Sequence, residues 1–223
     1  MEYSALYEKY YGLLSALRVI IEQSQERVIG DEPDVLFASN INFFVKSYLI
    51  NICTYLEAYL QDVAFEHASR ITERLMQAKI PHNFLYWRLS KDTKEKDWKF
   101  ENASYKCEKK ELSDVISGNP GKTIAAFRSI GVDLISSDSF SQHTDLVGSI
   151  VSKRNSIIHH NDDASDISFS DLLENIDVFL EYMQSIKELL CAENFDASDL
   201  PTHTSVSLDH EGEAYVAVSH ENE

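Results

Sequence analysis

An all-α fold is what this sequence predicts, on three grounds. Long stretches repeat apolar residues at spacings of three and four, the period of a helix buried along one side. Glycine and proline number only seven and four in 223 residues, too few for the many turns of a β-sandwich or barrel. The breaks between the apolar stretches carry helix start and stop signals. The expected architecture is a helical bundle of four to five main helices, with a basic connector insertion and a flexible acidic C-terminal tail.

The elements follow in order. Residues 2–28 read as a first amphipathic helix, with Leu6, Tyr10, Leu13, Leu14, Leu17 and Ile21 on its apolar stripe. Gly30-Asp31-Glu32-Pro33 breaks it, and the proline suits the first turn of the next helix. Residues 34–78 form one long helical pattern or two abutting ones. Their apolar stripe, from Phe37 through Tyr48, Ile52 and Tyr59 to Val63, is too broad for a surface helix, which predicts a central position. Ile80-Pro81-His82-Asn83 ends that pattern. Residues 84–119 change in character: a charge-rich run over 91–97 is followed by Trp98, Phe100 and Tyr105 among lysines, as expected of an insertion or long connector with short strand or helix pieces. Asn119-Pro120-Gly121 opens a short helix that Gly131 stops, and residues 140–160 form another, with Leu146, Ile150 and Ile157, joined by Val147 and Ile158, available to face a core. Ser168-Phe169-Ser170-Asp171 is a capping box that starts a last helix running to about Cys191. The domain reading is therefore a helical domain over 1–191, containing the insertion at 84–119, and an acidic tail over 192–223.

Charge and composition limit the function. The net charge is −17, unevenly spread: residues 84–128 carry ten basic and seven acidic side chains, whereas 192–223 carry eight acidic and no basic ones. An acidic protein has no general attraction for phosphate backbones, so any nucleic-acid contact must be local, or the acidic surface must meet a basic partner. The opening residues lack the basic and apolar regions of a secretory signal. The most apolar stretch, residues 41–60, is interrupted by Asn42, Lys46, Asn51 and Glu57, so no membrane span is expected. Cys53, Cys107 and Cys191 are scattered and odd in number, which predicts no disulfide framework and no zinc-type pair, and points to the reducing cytoplasm.

The segment richest in chemistry is Arg154-Asn155-Ser156-Ile157-Ile158-His159, followed by His160. On a regular helix Asn155 and His159 are four apart and share a face. Arg154 and His159 are five apart, about 140° around the axis, so both reach one substrate atom only through the long arginine side chain or if the helix ends before the histidine. The residue types suit RNA cleavage. A histidine near neutral pKa can take the proton of a ribose 2′-hydroxyl or protonate a leaving 5′-oxygen. A guanidinium can hold the phosphate bidentately and stabilise the charge of the transition state. From spacing alone, however, Arg and His at a helix C-terminus are more often a cap that complements the helix dipole.

Arg154 through His159 resembles the signature of the HEPN superfamily, an arginine, often followed by a polar residue, and then a histidine after four to six positions. The segment from Ser47 to Ala68 (Ser47-Tyr48-Leu49-Ile50-Asn51 onward) likewise resembles the central helix of prokaryotic HEPN-like nucleases, so the likeness covers roughly residues 35–190. The resemblance implies an up-down bundle, commonly dimeric, with two motifs facing across the interface to build one composite RNA site. It implies that Arg154 binds the scissile phosphate, that His159 acts as acid or base, and that Asn155 fills the polar slot. His160 also satisfies the spacing, and His159 is preferred because it shares a face with Asn155. Glu57 sits where many HEPN nucleases place an acidic residue near the site, although a lone glutamate is also an ordinary polar interruption of an apolar helix. The implied activity is metal-independent endoribonuclease cleavage by 2′-hydroxyl attack, without cofactor, in a toxin–antitoxin or anti-phage defence system with an antitoxin or other defence-system partner protein. The alternative is a non-catalytic HEPN-fold interaction module.

Three further features carry less. Gly118-Asn119-Pro120-Gly121-Lys122-Thr123 ends like a phosphate loop but has two residues between its glycines instead of four. The lysine run from Lys94 to Lys110 with its aromatics has the composition to stack and neutralise RNA, yet a solvated connector is the simpler expectation. His203, His210 and His220 in the tail lack metal-ligand spacing.

Overall fold

The computed structural model describes residues 3–89, 98–160 and 163–192, together with the backbone of 205–208 and 214–217. The charge-rich run over 91–97 and the tail histidines His203, His210 and His220 lie outside the described residues. The chain divides into two compact units, Met1–Cys191 and Ala192–Glu223.

The apolar period in the first 29 residues becomes α1 (Tyr3–Ile29), which buries Leu6, Tyr10, Leu14, Leu17 and Ile21. Leu13, expected on that stripe, falls at its edge and is exposed. The next pattern resolves into two abutting helices, α2 (Val35–Ser39) and α3 (Ile41–Gln77). Asp34 caps α2, its carboxylate accepting from the Leu36 amide, so Pro33 stands before the helix and not in its first turn. α3 is the axis of the domain: Val45, Leu49, Ile52, Cys53, Leu56, Tyr59, Leu60, Val63 and Ala64 are all wholly buried. A helix of 37 residues is about 55 Å long, enough to receive neighbours along its whole length.

The connector contributes α4 (His82–Leu89) and α5 (Lys109–Ser113). An isolated antiparallel bridge between Pro81 and Asn102 folds residues 98–106 back onto the start of α4, and the Ala103 amide donates to the Ile80 carbonyl at 2.7 Å. α6 (Pro120–Ser129) begins with Asn119 as its cap and proline at its first turn. The phosphate-loop-like segment is therefore an ordinary helix start, with the Thr123 hydroxyl donating to the Ser117 and Asn119 carbonyls. Gly131 takes a positive φ of 86° and reverses the chain there.

The helix expected over 140–160 is broken near its beginning. A 3-10 turn and α7 (Asp138–Ser141) precede α8 (Thr144–His160). The break falls at Gln142 and His143, and the His143 ring nitrogens reach the Ser139 carbonyl at 2.8 Å and the Glu181 carboxylate at 2.7 Å. α9 (Phe169–Ala192) starts at the expected capping box: the Ser168 amide donates to the Asp171 carboxylate and the Asp171 amide to the Ser168 hydroxyl.

Cross-helix pairs fix the directions. Tyr3 meets His67, Tyr10 meets Asp62 and Ser24 meets Tyr48, so α1 and α3 are antiparallel. Arg154 meets Glu57 and Ala164 meets Asn42, so α8 is antiparallel to α3 as well. The Tyr59 hydroxyl donates to the Met183 carbonyl while Tyr48 packs on Phe169, so α9 runs with α3. The four long helices therefore run up, down, up and down. In the second unit, where a loose tail is expected, β1 (Ser205–Leu208) and β2 (Ala214–Ala217) pair antiparallel, with Val206 opposite Val216. Among the described residues no helix is long and apolar enough to cross a membrane.

Candidate functional site

The polar segment lies where α8 crosses the middle of α3. Val147, Val151 and Ile157 are buried, whereas Leu146 and Ile158 are exposed and Ile150 is half-buried. The inward stripe thus runs 147, 151, 154 and 157 at helical spacing, and Arg154 falls on it. That register turns the arginine toward α3, contrary to a core face centred on Leu146 and Ile150.

On α3 the guanidinium meets Glu57. Arg154 Nη2 donates to Glu57 Oε2 at 2.8 Å, with the two side chains 16% and 32% exposed. Cys53 lies one turn before Glu57 and also neighbours Arg154. Burial pushes its thiol up to about 12, against the opposing pull of the Arg154 charge and hydrogen bond. Arg154 Nε is buried and has no hydrogen-bond partner among the described residues, so the guanidinium is oriented through one edge while another donor is left unsatisfied there.

The rest of the segment faces elsewhere. α8 is helical through His160, so the helix does not end before the histidine and the separation of about 140° between Arg154 and His159 stands. Asn155 is half-buried, and His159 and His160 are exposed in the last turn. Among the described residues neither Asn155 nor His159 has a side-chain hydrogen-bond partner. Lys153 flanks Arg154 on the other side. Its ammonium reaches the Asp163 carbonyl at 3.0 Å and the Asp166 carboxylate at 2.7 Å, and this holds the Asp166 carboxyl below its ordinary range. The Ala164 amide donates to Asn42 at 3.0 Å, tying the turn after α8 to the start of α3. The histidines are thus presented on a helix end fixed from both sides.

The structure brings Glu57 and Arg154 together and leaves Asn155, His159 and His160 on the outer side of the same helix. Sequence reasoning missed Cys53 and Lys153. Cys53 was legible in principle, being four residues before Glu57 on one face of α3. The bond of Lys153 to the following turn has no local signal. Among the described residues no group of three or more His, Cys, Asp or Glu is placed to hold a metal ion.

A family model described as RiboL-PSP-HEPN matches residues 15–192. The chain belongs to the RiboL-PSP-HEPN family. The match begins inside α1, takes in α3, α8 and the whole of α9, and so spans the helices that build the Glu57–Arg154 seam. HEPN families include ribonucleases, and HEPN domains commonly act on RNA and dimerise. Membership ties this HEPN chain to nuclease-like, RNA-related function. Neither the curated proteins nor the solved structures contain a match to it.

Proposed function

We propose that this HEPN protein is a metal-independent endoribonuclease that cleaves RNA by 2′-hydroxyl attack, in a toxin–antitoxin or anti-phage defence system. The supporting observation is the pairing of an oriented, incompletely satisfied Arg154 with exposed histidines on one helix end. Arg154 holds the scissile phosphate and offsets the charge that grows on it. His159 removes the 2′-hydroxyl proton or protonates the departing 5′-oxygen, with Asn155 on the same face to orient it or the phosphate; His160 is the second choice for that role. Glu57 keeps the guanidinium extended toward the seam. Because α8 stays helical, one arginine and one histidine of the same chain diverge, and a homodimer that sets His159 against Arg154 of the partner subunit supplies both to one phosphate.

A non-catalytic interaction module is supported by one observation, the Glu57–Arg154 ion pair itself, which a purely structural arginine would also form. Cleavage of a labelled single-stranded RNA by wild type, Arg154→Ala, His159→Ala and His160→Ala separates the two readings. The nuclease reading expects products with cyclic-phosphate and 5′-hydroxyl ends, unaffected by chelator, and loss of cleavage in Arg154→Ala and in one histidine variant. Wild-type rates in all three variants would overturn a nuclease site at these residues, and no cleavage by the wild type would favour the module.

A further inference from the structure

Among the described residues the connector holds the densest group of exposed aromatic rings, and none of them serves the seam. α4 has two aromatic faces. On one, His82 stacks between Tyr86, with ring centroids 5.9 Å apart, and Tyr105, at 6.2 Å, while Tyr86 meets Trp98 edge-on at 6.3 Å. This ladder clamps residues 98–105 against the helix, helped by the Lys99 amide, which donates to the Asn83 side chain at 2.8 Å. On the other face, Phe84, Trp87 and Arg88 stand at helical spacing. Phe84 and Trp87 are 6.2 Å apart and each is 54% exposed, and the Arg88 guanidinium lies 5.3 Å from the Trp87 ring centre. Phe100, on the clamped segment, is 97% exposed. It borders a shallow hollow of about 350 Å³ formed with Pro81, Asn83, Lys99, Glu101 and Asn102.

No residue of α4 is buried, so core packing does not account for its outward aromatics. A patch of this kind on a folded domain marks a binding surface. Charge selects the occupant. Residues 84–128 are net positive within a chain of net charge −17, the Arg88 cation stands beside the Trp87 ring, and Lys106 follows Tyr105 in the chain. Rings that present flat faces, interleaved with cations, match unpaired bases on a phosphate backbone, because every base has a π-face and no particular base edge need be read.

We infer that α4 and residues 98–106 form a stacking platform for single-stranded RNA, remote from the cleavage seam. The platform rests on the RNA-directed reading of the domain. It follows Gln77, at the end of α3, and Gln77 is about 30 Å along that helix from Glu57. A single strand anchored on the rings therefore reaches the same subunit's seam only through several intervening nucleotides. The platform governs how tightly a long unpaired substrate is held, and it leaves the chemistry at the phosphate alone.

The test uses the full chain carrying His159→Ala and His160→Ala together, so that neither candidate histidine can cleave, and a fluorescein-labelled 12-nucleotide single-stranded RNA with its duplex as comparison. Adding Trp87→Ala or Phe100→Ala weakens single-strand binding about tenfold each, and Trp87→Phe restores most of the loss. The duplex binds more weakly than the single strand and is indifferent to these changes. In the cleaving chain the same variants raise KM for the long substrate and leave a dinucleotide's turnover unchanged. Single-strand affinities within twofold of the parent, or equal loss for duplex, overturn the platform. So does a shift of the Trp87→Ala chain to a smaller species in sedimentation at unchanged RNA affinity, which makes the rings a protein contact. Platform variants that lose RNA affinity in a chain that cleaves nothing uphold the platform and sink the nuclease; cleavage with an unchanged KM does the reverse.

Discussion

Two charged clusters are built against α3, one around Asp62 and one around Arg154, and they are completed to different degrees. Asp62 accepts from the Tyr10 hydroxyl at 2.6 Å and the Lys9 ammonium at 3.0 Å, and pairs with Lys109, joining α1, α3 and α5. Desolvation works against its charge, but the hydrogen bonds from Lys109, Tyr10 and Lys9 outweigh it and lower the carboxyl to about 2. Burial and the bond to Asp62 push the Tyr10 phenol up to about 12. Each of the three donor side chains there reaches the carboxylate. Arg154 has one carboxylate oxygen, a buried thiol beside it and a buried Nε that has no partner among the described residues. The first cluster is closed and holds helices together. The second keeps hydrogen-bonding capacity in reserve, as a site for an anionic ligand requires.

The comparison breaks most visibly in activity. Arg154→Ala is expected to lower RNA cleavage at least 10²–10³-fold, the effect of losing a charge-stabilising donor. Its thermal midpoint should fall by only a few degrees, since the Glu57 left behind is partly exposed and can hydrate. Arg154→Lys should recover little of the activity, because an ammonium cannot hold phosphate bidentately. A variant that unfolds while the residual folded fraction cleaves normally would make Arg154 structural, like Asp62.

Asp62→Asn has the opposite profile. It should cost about 1–2 kcal/mol in urea unfolding and leave the cleavage rate of the folded protein unchanged. The carboxyl is lower in the folded chain than its ordinary value of 3.8, so its stabilisation is fully present above that value and is lost as pH falls through about 2. An acid titration monitored by circular dichroism should therefore show a decline between about pH 5 and 2 that Asp62→Asn flattens.

Smaller effects sharpen the contrast at the seam. Glu57→Gln keeps the shape and removes the countercharge. Stability should change by about 1 kcal/mol or less, and RNA affinity, measured in a chain carrying both His159→Ala and His160→Ala, should rise severalfold as Arg154 becomes freer to meet phosphate. A fall in affinity would show that Glu57 does more to position the guanidinium than to neutralise it. Smallest is the response of Cys53, whose buried thiol stays protonated at neutral pH. Thiol labelling of the native protein should reach exposed Cys191 first and leave Cys53 untouched, and Arg154→Ala should open Cys53 to the reagent.

How much of this was legible varies from helix to helix. The apolar periods of α1 and α3, the capping box at Ser168 and Asp171 and the reversal at Gly131 are local patterns, and they name the long helices almost to the residue. The break at His143 is different, because its ring is held by a carboxylate 38 residues away on α9, a contact that no local window contains. The face of α8 could be read either way: Leu146, Ile150 and Ile158 offer an apolar stripe as plausible as the one through Val147, Val151 and Ile157. Only packing against α3 chooses the second, and with it the inward direction of Arg154. The aromatic connector was legible as composition, but the His82–Tyr86–Tyr105 ladder that exposes Phe84 and Trp87 depends on the chain folding back at Pro81 and Asn102.

By itself, then, the sequence determined the all-α class, the order of the long helices and the motif residues Arg154, Asn155, His159 and His160, because periodicity, capping and turn chemistry act within a few residues. The tertiary structure alone decided that Arg154 meets Glu57, that His159 and His160 face outward, and that Asp62 is saturated. Those outcomes depend on which helix faces touch, and that is settled by burying the largest apolar area across distant segments, a choice that no local window contains.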